Sequence, residues 1–429
     1  METTPRDGDI IGVEKKEAGT DYVKTAKALG EIIKSGINVS LIDINKSAYG
    51  FKPDVKNNQI LYGLKALSGV NKEAIDKIIK NHPYKNMDDF MKRCKLNKTA
   101  MISLIKAGAF DNLWNKDFIE KINVHPRIVA MVHYLKKECN PKSKLTLSNM
   151  NGLIQAGLIP YELEMEKKTY LLNKLLKKNK MNEYYWFNSP KEIEFYNNYF
   201  DPNSLEAIDG VVVIKQKVWD NIYDSIMDHI REWLKAHHDE VLQEYNDILF
   251  KEIWEKYGQG NISSWEMDSV CFYHGDHELK NINNKKYGIV DFNKLNVVPA
   301  VERTFKRNGK QIPLFVLTKI AGTVIGKNDN KHSISLLTTT GVVTVKFTKD
   351  YYALFGRQIS EVQADGTKKV KEKGWFTKGT MLLVTGFRRD DMFIGKTYST
   401  TAGHQLYKIT KVNGSDIELT HNRYGQEDE

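Results

Sequence analysis

The sequence predicts a multidomain α + β protein whose N-terminal two-thirds are helical and whose C-terminal part closes into a five-stranded barrel. Three observations predict it. At 429 residues the chain is too long for one compact core. Apolar residues recur at helical spacing in paired short segments over residues 58–111. Over the last third that pattern gives way to β-branched and aromatic runs bounded by Gly, Asn, Asp and Lys turns.

Taken in order, Asp21 to Ser35 reads as a helix, with Tyr22, Ala26, Leu29 and Ile33 on one face and Gly36 as the stop. Asn38 to Pro53 holds strand-like and turn-like pieces without a sustained period. Ile60 to Leu67 and Lys72 to Lys80 then form one expected helical hairpin around Ser68-Gly69-Val70-Asn71. Met87 to Cys94 and Thr99 to Lys106 form a second around Lys95-Leu96-Asn97-Lys98. The stretch 103-SLIKAGAF-110 has an echo in 152-GLIQAGLI-159, as a third helical unit or by coincidence. From Tyr161 to Tyr257 the chain is mostly helical, with interruptions at 184-YYWFNSP-190 and 211-VVVI-214, and a loop-rich passage continues to about Pro313. Leu314–Ile325, Ser333–Leu337, Val342–Phe347, Met381–Phe387 and Leu406–Val412 are the expected strands. The helix Lys349–Phe355 falls between the third and fourth, the arrangement of an OB-fold. The expected divisions are 1–57, the hairpins at 58–114, a helical region at 115–260, a linker at 261–312, the barrel at 313–421 and a tail at 422–429.

Composition narrows the function classes. Hydrophobic residues make up 41% and charged residues 28%, and no apolar run approaches a membrane span. The first 19 residues lack a basic segment followed by an apolar one, so they are not a secretory signal. Cys94, Cys139 and Cys271 are odd in number and far apart, which points to reduced thiols and a cytoplasmic protein. The net charge is +10, yet Val301 to Lys411 alone holds 20 Lys and Arg against 8 Asp and Glu. A basic domain beside a near-neutral body suits polyanion binding, and equally a solvated lysine-rich surface.

The segment 62-YGLKALSGVNKEAIDKII-79 resembles a helix-hairpin-helix, in which hairpin amides and the second helix N-terminus face a DNA phosphate. Gly69 allows close backbone approach, Val70 anchors the turn and Lys72 adds charge. Asn71 stands where a second glycine is usual and is expected to accept a left-handed conformation. A purely structural hairpin would look similar. In the second hairpin, Asn97 and Lys98 take the corresponding places. In the barrel, Lys346, Tyr351, Arg388 and Arg389 are the expected contacts to single-stranded DNA. Of the aromatics Phe347, Tyr351, Tyr352, Trp375, Phe387, Phe393 and Tyr398, most are expected in the core and a few toward bases. The tripeptide 395-GKT-397 fails as a phosphate loop because Asp390 occupies the glycine position. Cys271, His274 and His277 have C-x2-H-x2-H spacing without a second pair to complete a metal site. Asp43, Asp88-Asp89 and Asp390-Asp391 make no carboxylate pair for two-metal chemistry, so no active site is read in this chain.

Taken together, 37-INVSLIDINKSAYGF-51, 60-ILYGLKALSGVNKEAIDKII-79, 89-DFMKRCKLNKTAMISLIKAGAFD-111 and 265-WEMDSVCFYHGDHEL-279 resemble the C-terminal part of bacterial DNA polymerase III alpha subunits, the family C DNA polymerases. The barrel segments 319-KIAGTVIG-326 and 341-GVVTVKF-347 are similar to that family's last domain. The resemblance implies a tandem helix-hairpin-helix and an OB-fold that position duplex and single-stranded DNA. It also implies a palm domain, absent from this sequence, on another polypeptide that holds the magnesium, so this chain needs no cofactor of its own. The Lys-, Asn- and Ile-rich composition fits a phage-encoded split or truncated version. Whether the chain counts as an enzyme is left open. The family's clamp-binding peptide would correspond to Ile248, Leu249 and Phe250 of 246-NDILF-250, with a sliding clamp as partner, although the same residues lie on the face of a packed helix. The alternative is a stand-alone single-strand-binding or recombination accessory protein.

Overall fold

The computed structural model describes residues 21–363, 366–398 and 404–425. The stretch up to Thr20, read above as no secretory signal, lies outside the described residues, as does the end of the 422–429 tail. The chain forms two units. One holds the described residues up to Met131 together with those from Gly260 onward, and the other is Val132–Gln259.

In the first unit, helix α1 (Tyr22–Lys34) starts at Asp21, whose carboxylate caps the amide of Lys24 at 3.1 Å. A small sheet follows, in which Gln59–Leu61 lies between Asn38–Val39, parallel to it, and Lys52–Asp54, antiparallel. The expected first helix of the first hairpin, Ile60 to Leu67, is therefore a strand followed by one 3₁₀ turn, Leu64–Ala66. Backbone pairing across the chain replaces helical bonds there: the Leu64 amide donates to Ala48 O at 2.9 Å and that of Lys65 to Tyr49 O at 2.8 Å. The other three hairpin helices are present: α2 (Lys72–Asn81), α3 (Met87–Cys94) and α4 (Lys98–Lys106). Ile75 and Ile78 of α2, Phe90 of α3 and Met101, Leu104 and Ile105 of α4 are buried.

The barrel is closed by β1 (Thr318–Asn328), β2 (Ser333–Thr338), β3 (Gly341–Lys346), β4 (Met381–Arg389) and β5 (Met392–Gly395), with helix α5 (Lys349–Gly356) between β3 and β4. β1 to β3 form an antiparallel meander, β1 also pairs antiparallel with β4, and β5 joins β4 antiparallel to β3 parallel. This is the OB-fold connectivity, with Ile320, Val324, Leu336, Val345, Trp375, Val384 and Phe393 in its core. The fifth strand is Met392–Gly395 rather than Leu406–Val412. Leu406–Asn413 instead pairs with Leu382–Val384 and forms a hairpin with Asp416–Thr420. The loop-rich reading of residues up to Pro313 is also corrected. Val301–Arg307 and Lys310–Phe315 make an antiparallel hairpin, and the first barrel strand begins only at Thr318.

The second unit contains helices Met150–Gln155, Glu164–Leu176, Pro190–Tyr199, Gln216–Ala236 and His238–Tyr257. The interruptions at 184–190 and 211–214 form part of a four-stranded antiparallel sheet of Lys180–Met181, Tyr184–Trp186, Val211–Lys215 and Leu205–Ile208, in that spatial order. Trp219, fully buried beside this sheet, donates from its indole to Asn173 Oδ1 at 3.0 Å. The echo between 103–110 and 152–159 is a shared helix end. Ala109 N bonds Leu104 O, and Gly108 N bonds Ile105 O. Leu158 N bonds Leu153 O, and Gly157 N bonds Ile154 O, the paired bonds of a Schellman cap in each case.

Candidate nucleic-acid interface

The two hairpin turns are copies of one local structure. Asn71 (φ −84, ψ 169) and Asn97 (φ −69, ψ 162) are both extended N-caps, accepting from Ala74 N at 3.0 Å and Ala100 N at 2.9 Å. Asn71 is thus not left-handed as expected, because its side chain is the cap. The left-handed residue lies two positions earlier, Gly69 (φ 79) in one turn and Lys95 (φ 46) in the other. Val70 is buried under the first turn while Asn71 and Lys72 are exposed. A Cβ on Gly69 would stand 3.1 Å from the Thr99 methyl, and Ser103 Oγ donates to Ser68 O at 2.5 Å. The first turn therefore lies against the opening turn of α4. This brings two helix N-termini, each led by a lysine, to adjoining positions where their dipoles favour an anion.

The end of the second hairpin carries a buried charge group that sequence reasoning did not find. Arg127 is 2% exposed and donates from Nε to Asp111 Oδ2 and from Nη1 to Glu266 Oε1, both at 2.9 Å. The other oxygen of Glu266 accepts the amides of His274 at 2.9 Å and Gly275 at 3.1 Å. The group thus ties the hairpins to the segment that leads into the barrel. Burial pushes the Asp111 carboxyl up to about 6 against the opposing pull of Arg127, and its Oδ1 has no partner among the described residues. Gly108 makes room for this pair: at φ 82, a Cβ there would lie 2.8 Å from Arg127 Nε and from Asp111 Oδ2. The Gly-Ala-Phe-Asp ending of 103-SLIKAGAFD-111 therefore caps a helix and supplies one carboxylate of the group. Arg127 and Glu266 lie 139 positions apart and carry no local signal.

Around the barrel the expected contact residues divide. Lys346 is exposed at the end of β3, and Arg389 is exposed with its guanidinium over Phe315 at 5.4 Å and Phe387 at 5.5 Å. Arg388 is instead committed to structure. It donates to Leu295 O at 2.9 Å and Phe292 O at 3.3 Å and covers the Phe292 ring at 4.5 Å. Tyr351 packs on the barrel core, 4.7 Å from Phe355, and burial raises the pKa of its hydroxyl. Phe347, Tyr352, Trp375, Phe387 and Phe393 are all buried, and Tyr398, half-buried, accepts from Phe315 N at 2.9 Å.

Two remaining motifs are structural. Ile248, Leu249 and Phe250 sit inside the helix His238–Tyr257, where Leu249 packs on a core cluster and Phe250 lies 6.0 Å from Trp254. Asn246, in the place of the clamp peptide's glutamine, bonds the backbone of Lys142 at 2.7 and 3.0 Å. An extended clamp peptide would require this helix to unfold. Cys271, His274 and His277 do not converge on a metal. Cys271 ends a helix in the left-handed conformation, His274 bonds Val39 O, and His277 Nε2 bonds Leu337 O at 2.9 Å. Among the described residues no group of three His, Cys, Asp or Glu side chains is placed to hold a metal ion, and no helix is long and apolar enough to cross a membrane.

Comparison with known proteins agrees with a helix-hairpin-helix in this region. A family model described as a helix-hairpin-helix motif matches residues 36–117. The chain is 38% identical over 425 residues to "Probable DNA polymerase YorL" of Bacillus subtilis (strain 168), covering 95% of this chain and 31% of that protein. The "DNA-directed DNA polymerase" of Bacillus phage SPbeta matches with the same identity and coverage. "DNA polymerase III subunit alpha" of Helicobacter pylori (strain ATCC 700392 / 26695) is 32% identical over 106 residues, 23% of this chain and 9% of that protein. The chain thus spans about a third of the length of the first two relatives.

Proposed function

Because the chain is a homologue of phage and bacterial DNA polymerases and carries a helix-hairpin-helix, we propose that it is the DNA-positioning part of a replicative polymerase. In this reading the tandem hairpins hold the duplex product and the barrel guides single-stranded template, in the cytoplasm of a bacterial or infected cell. A palm domain on another polypeptide, with its magnesium, performs nucleotide addition.

The observation that carries the reading is the pair of asparagine-capped, lysine-led helix N-termini set side by side by Gly69 and Thr99. Each cap occupies one leading amide, at Ala74 or Ala100, and the amides ahead of it suit phosphate oxygens on one duplex strand. Contacts of this kind position the backbone without reading sequence, as a polymerase needs. The test is the double substitution Lys72→Glu with Lys98→Glu, assayed by duplex binding across a salt series. Loss of two phosphate contacts should flatten the logarithmic salt slope by about 1.8 and weaken binding uniformly across sequences. An unchanged affinity and slope would remove the hairpins from the interface. Affinity purification from the native host should in addition recover a polypeptide bearing the palm aspartates, and recovery of the chain alone would favour an independent accessory protein.

A further inference from the structure

The hairpin Val301–Arg307 and Lys310–Phe315 has no part in the proposed duplex site. It turns through Asn308 (φ 51) and Gly309 (φ 77), the two positive angles of a type I′ turn, which matches the twist of a two-stranded ribbon. Every residue from Val301 to Lys310 is exposed. Within 301–315 the cations Arg303, Lys306, Arg307 and Lys310 face one acid, Glu302. The register pairs Arg303 with Leu314, Phe305 with Ile312 and Arg307 with Lys310, and side chains alternate across a strand. These six residues therefore share one face, with the Phe305 ring, 41% exposed, between the charges. Arg127, Arg388 and Arg423 are bound to carboxylates or carbonyls, whereas the hairpin cations stand in solvent.

The root of the hairpin adjoins the barrel. Phe315 lies 4.7 Å from Phe387 of β4, under the Arg389 guanidinium, and Asp390 N in the β4–β5 turn donates to Val297 O at 3.0 Å. The β4–β5 turn of an OB-fold borders its strand-binding face. We infer that the hairpin is a second single-stranded-DNA contact that continues the barrel's path, with Arg303, Arg307 and Lys310 on successive phosphates and Phe305 stacked on a base. The occupant is single-stranded because a duplex keeps its base faces stacked within itself and offers none to Phe305, while the positive charges complement phosphates. The inference rests on the proposal that the barrel guides single-stranded template.

The test measures anisotropy of fluorescein-labelled oligo-dT and of a blunt duplex of equal length, at several salt concentrations, with the full chain. The triple variant Arg303→Gln, Arg307→Gln, Lys310→Gln should weaken oligo-dT binding and flatten its salt slope by about 2, with the duplex unchanged. Phe305→Ala should lower oligo-dT affinity about tenfold at unchanged slope, since stacking releases no counterions. All four positions are solvent-exposed, and thermal unfolding of both variants verifies the fold. Unchanged oligo-dT affinity and slope in the triple variant would overturn the inference while the Lys72 and Lys98 result stands independently. Equal losses on oligo-dT and duplex would also overturn it, in favour of general charge. If the wild type binds the duplex and no oligo-dT, the barrel proposal falls and the inference with it, and the hairpin-helix reading is untouched.

Discussion

Arg127→Met offers the strongest test of the buried charge group. The wild-type guanidinium is 2% exposed and is shared between Asp111, whose side chain is 18% exposed, and Glu266, at 3%. Methionine fills much of the volume but strands two carboxylates, and breaking a buried pair in this way costs about 3–5 kcal/mol. For a unit of roughly 300 residues the unfolding entropy is about 0.6 kcal/mol/K, so the melting temperature should fall by roughly 5–8 °C, measured by scanning calorimetry. The loss should depend on pH. The Asp111 carboxyl is held up at about 6, above the ordinary value of about 3.9. Between those values the folded chain keeps a proton that the unfolded chain has released, so this group withdraws stability as pH rises through the window. Removing Arg127 removes the force that holds the pKa down, which extends the window upward. The gap between wild type and variant should therefore widen as pH rises above about 6. Asp111→Asn added to Arg127→Met should recover part of the loss, because one stranded charge disappears, and the double-mutant cycle reads that coupling. A melting temperature within about 2 °C of wild type, a deficit independent of pH, or strictly additive losses would each refute the account.

Two neighbouring arginines should behave differently: Arg388→Gln should destabilise the barrel by about 1–3 kcal/mol in urea unfolding, through lost bonds to Phe292 and Leu295 carbonyls. Arg389→Gln, at an exposed site, should leave stability within about 0.5 kcal/mol and instead lower affinity for single-stranded DNA. His277 is buried with its pKa lowered to about 4, so the folded chain resists a proton that the unfolded chain accepts from about 6.5 downward. Its stabilisation is complete above that value and is lost as pH falls toward 4, by at most about 3 kcal/mol, and His277→Gln should flatten unfolding free energy between about pH 7 and pH 4.

Much of the local structure of the candidate interface was legible in the sequence. Asn71 and Asn97 followed by lysine mark two helix starts, because N-capping depends on a few consecutive residues. The Asn308-Gly309 turn is equally local, a hairpin signal flanked by alternating residues within the stretch expected to be loop-rich. Helix-like apolar spacing misled at Ile60 to Leu67, where pairing with Asn38–Val39 and Lys52–Asp54 overrode it. Arg388 and Arg389 are indistinguishable by composition, and only the position of Phe292 and Leu295 separates an anchor from an exposed cation.

By itself the sequence determined the starts of α2 and α4, the Gly108 cap that ends α4, the basic character of the C-terminal third and its change to β structure, since each arises from periodicity, capping or charge within a short window. Tertiary structure alone decided which strand closes the barrel. The four-residue Met392–Gly395 outranks the longer run from Leu406, because it can pair parallel to β3 while holding β4, and that choice depends on the edge left open by β3, whose paired residues lie 48 positions earlier (392 − 344). It alone also brought Asp111, Arg127 and Glu266 together, because a buried cation takes its partners from the folded surroundings and no spacing along the chain records them.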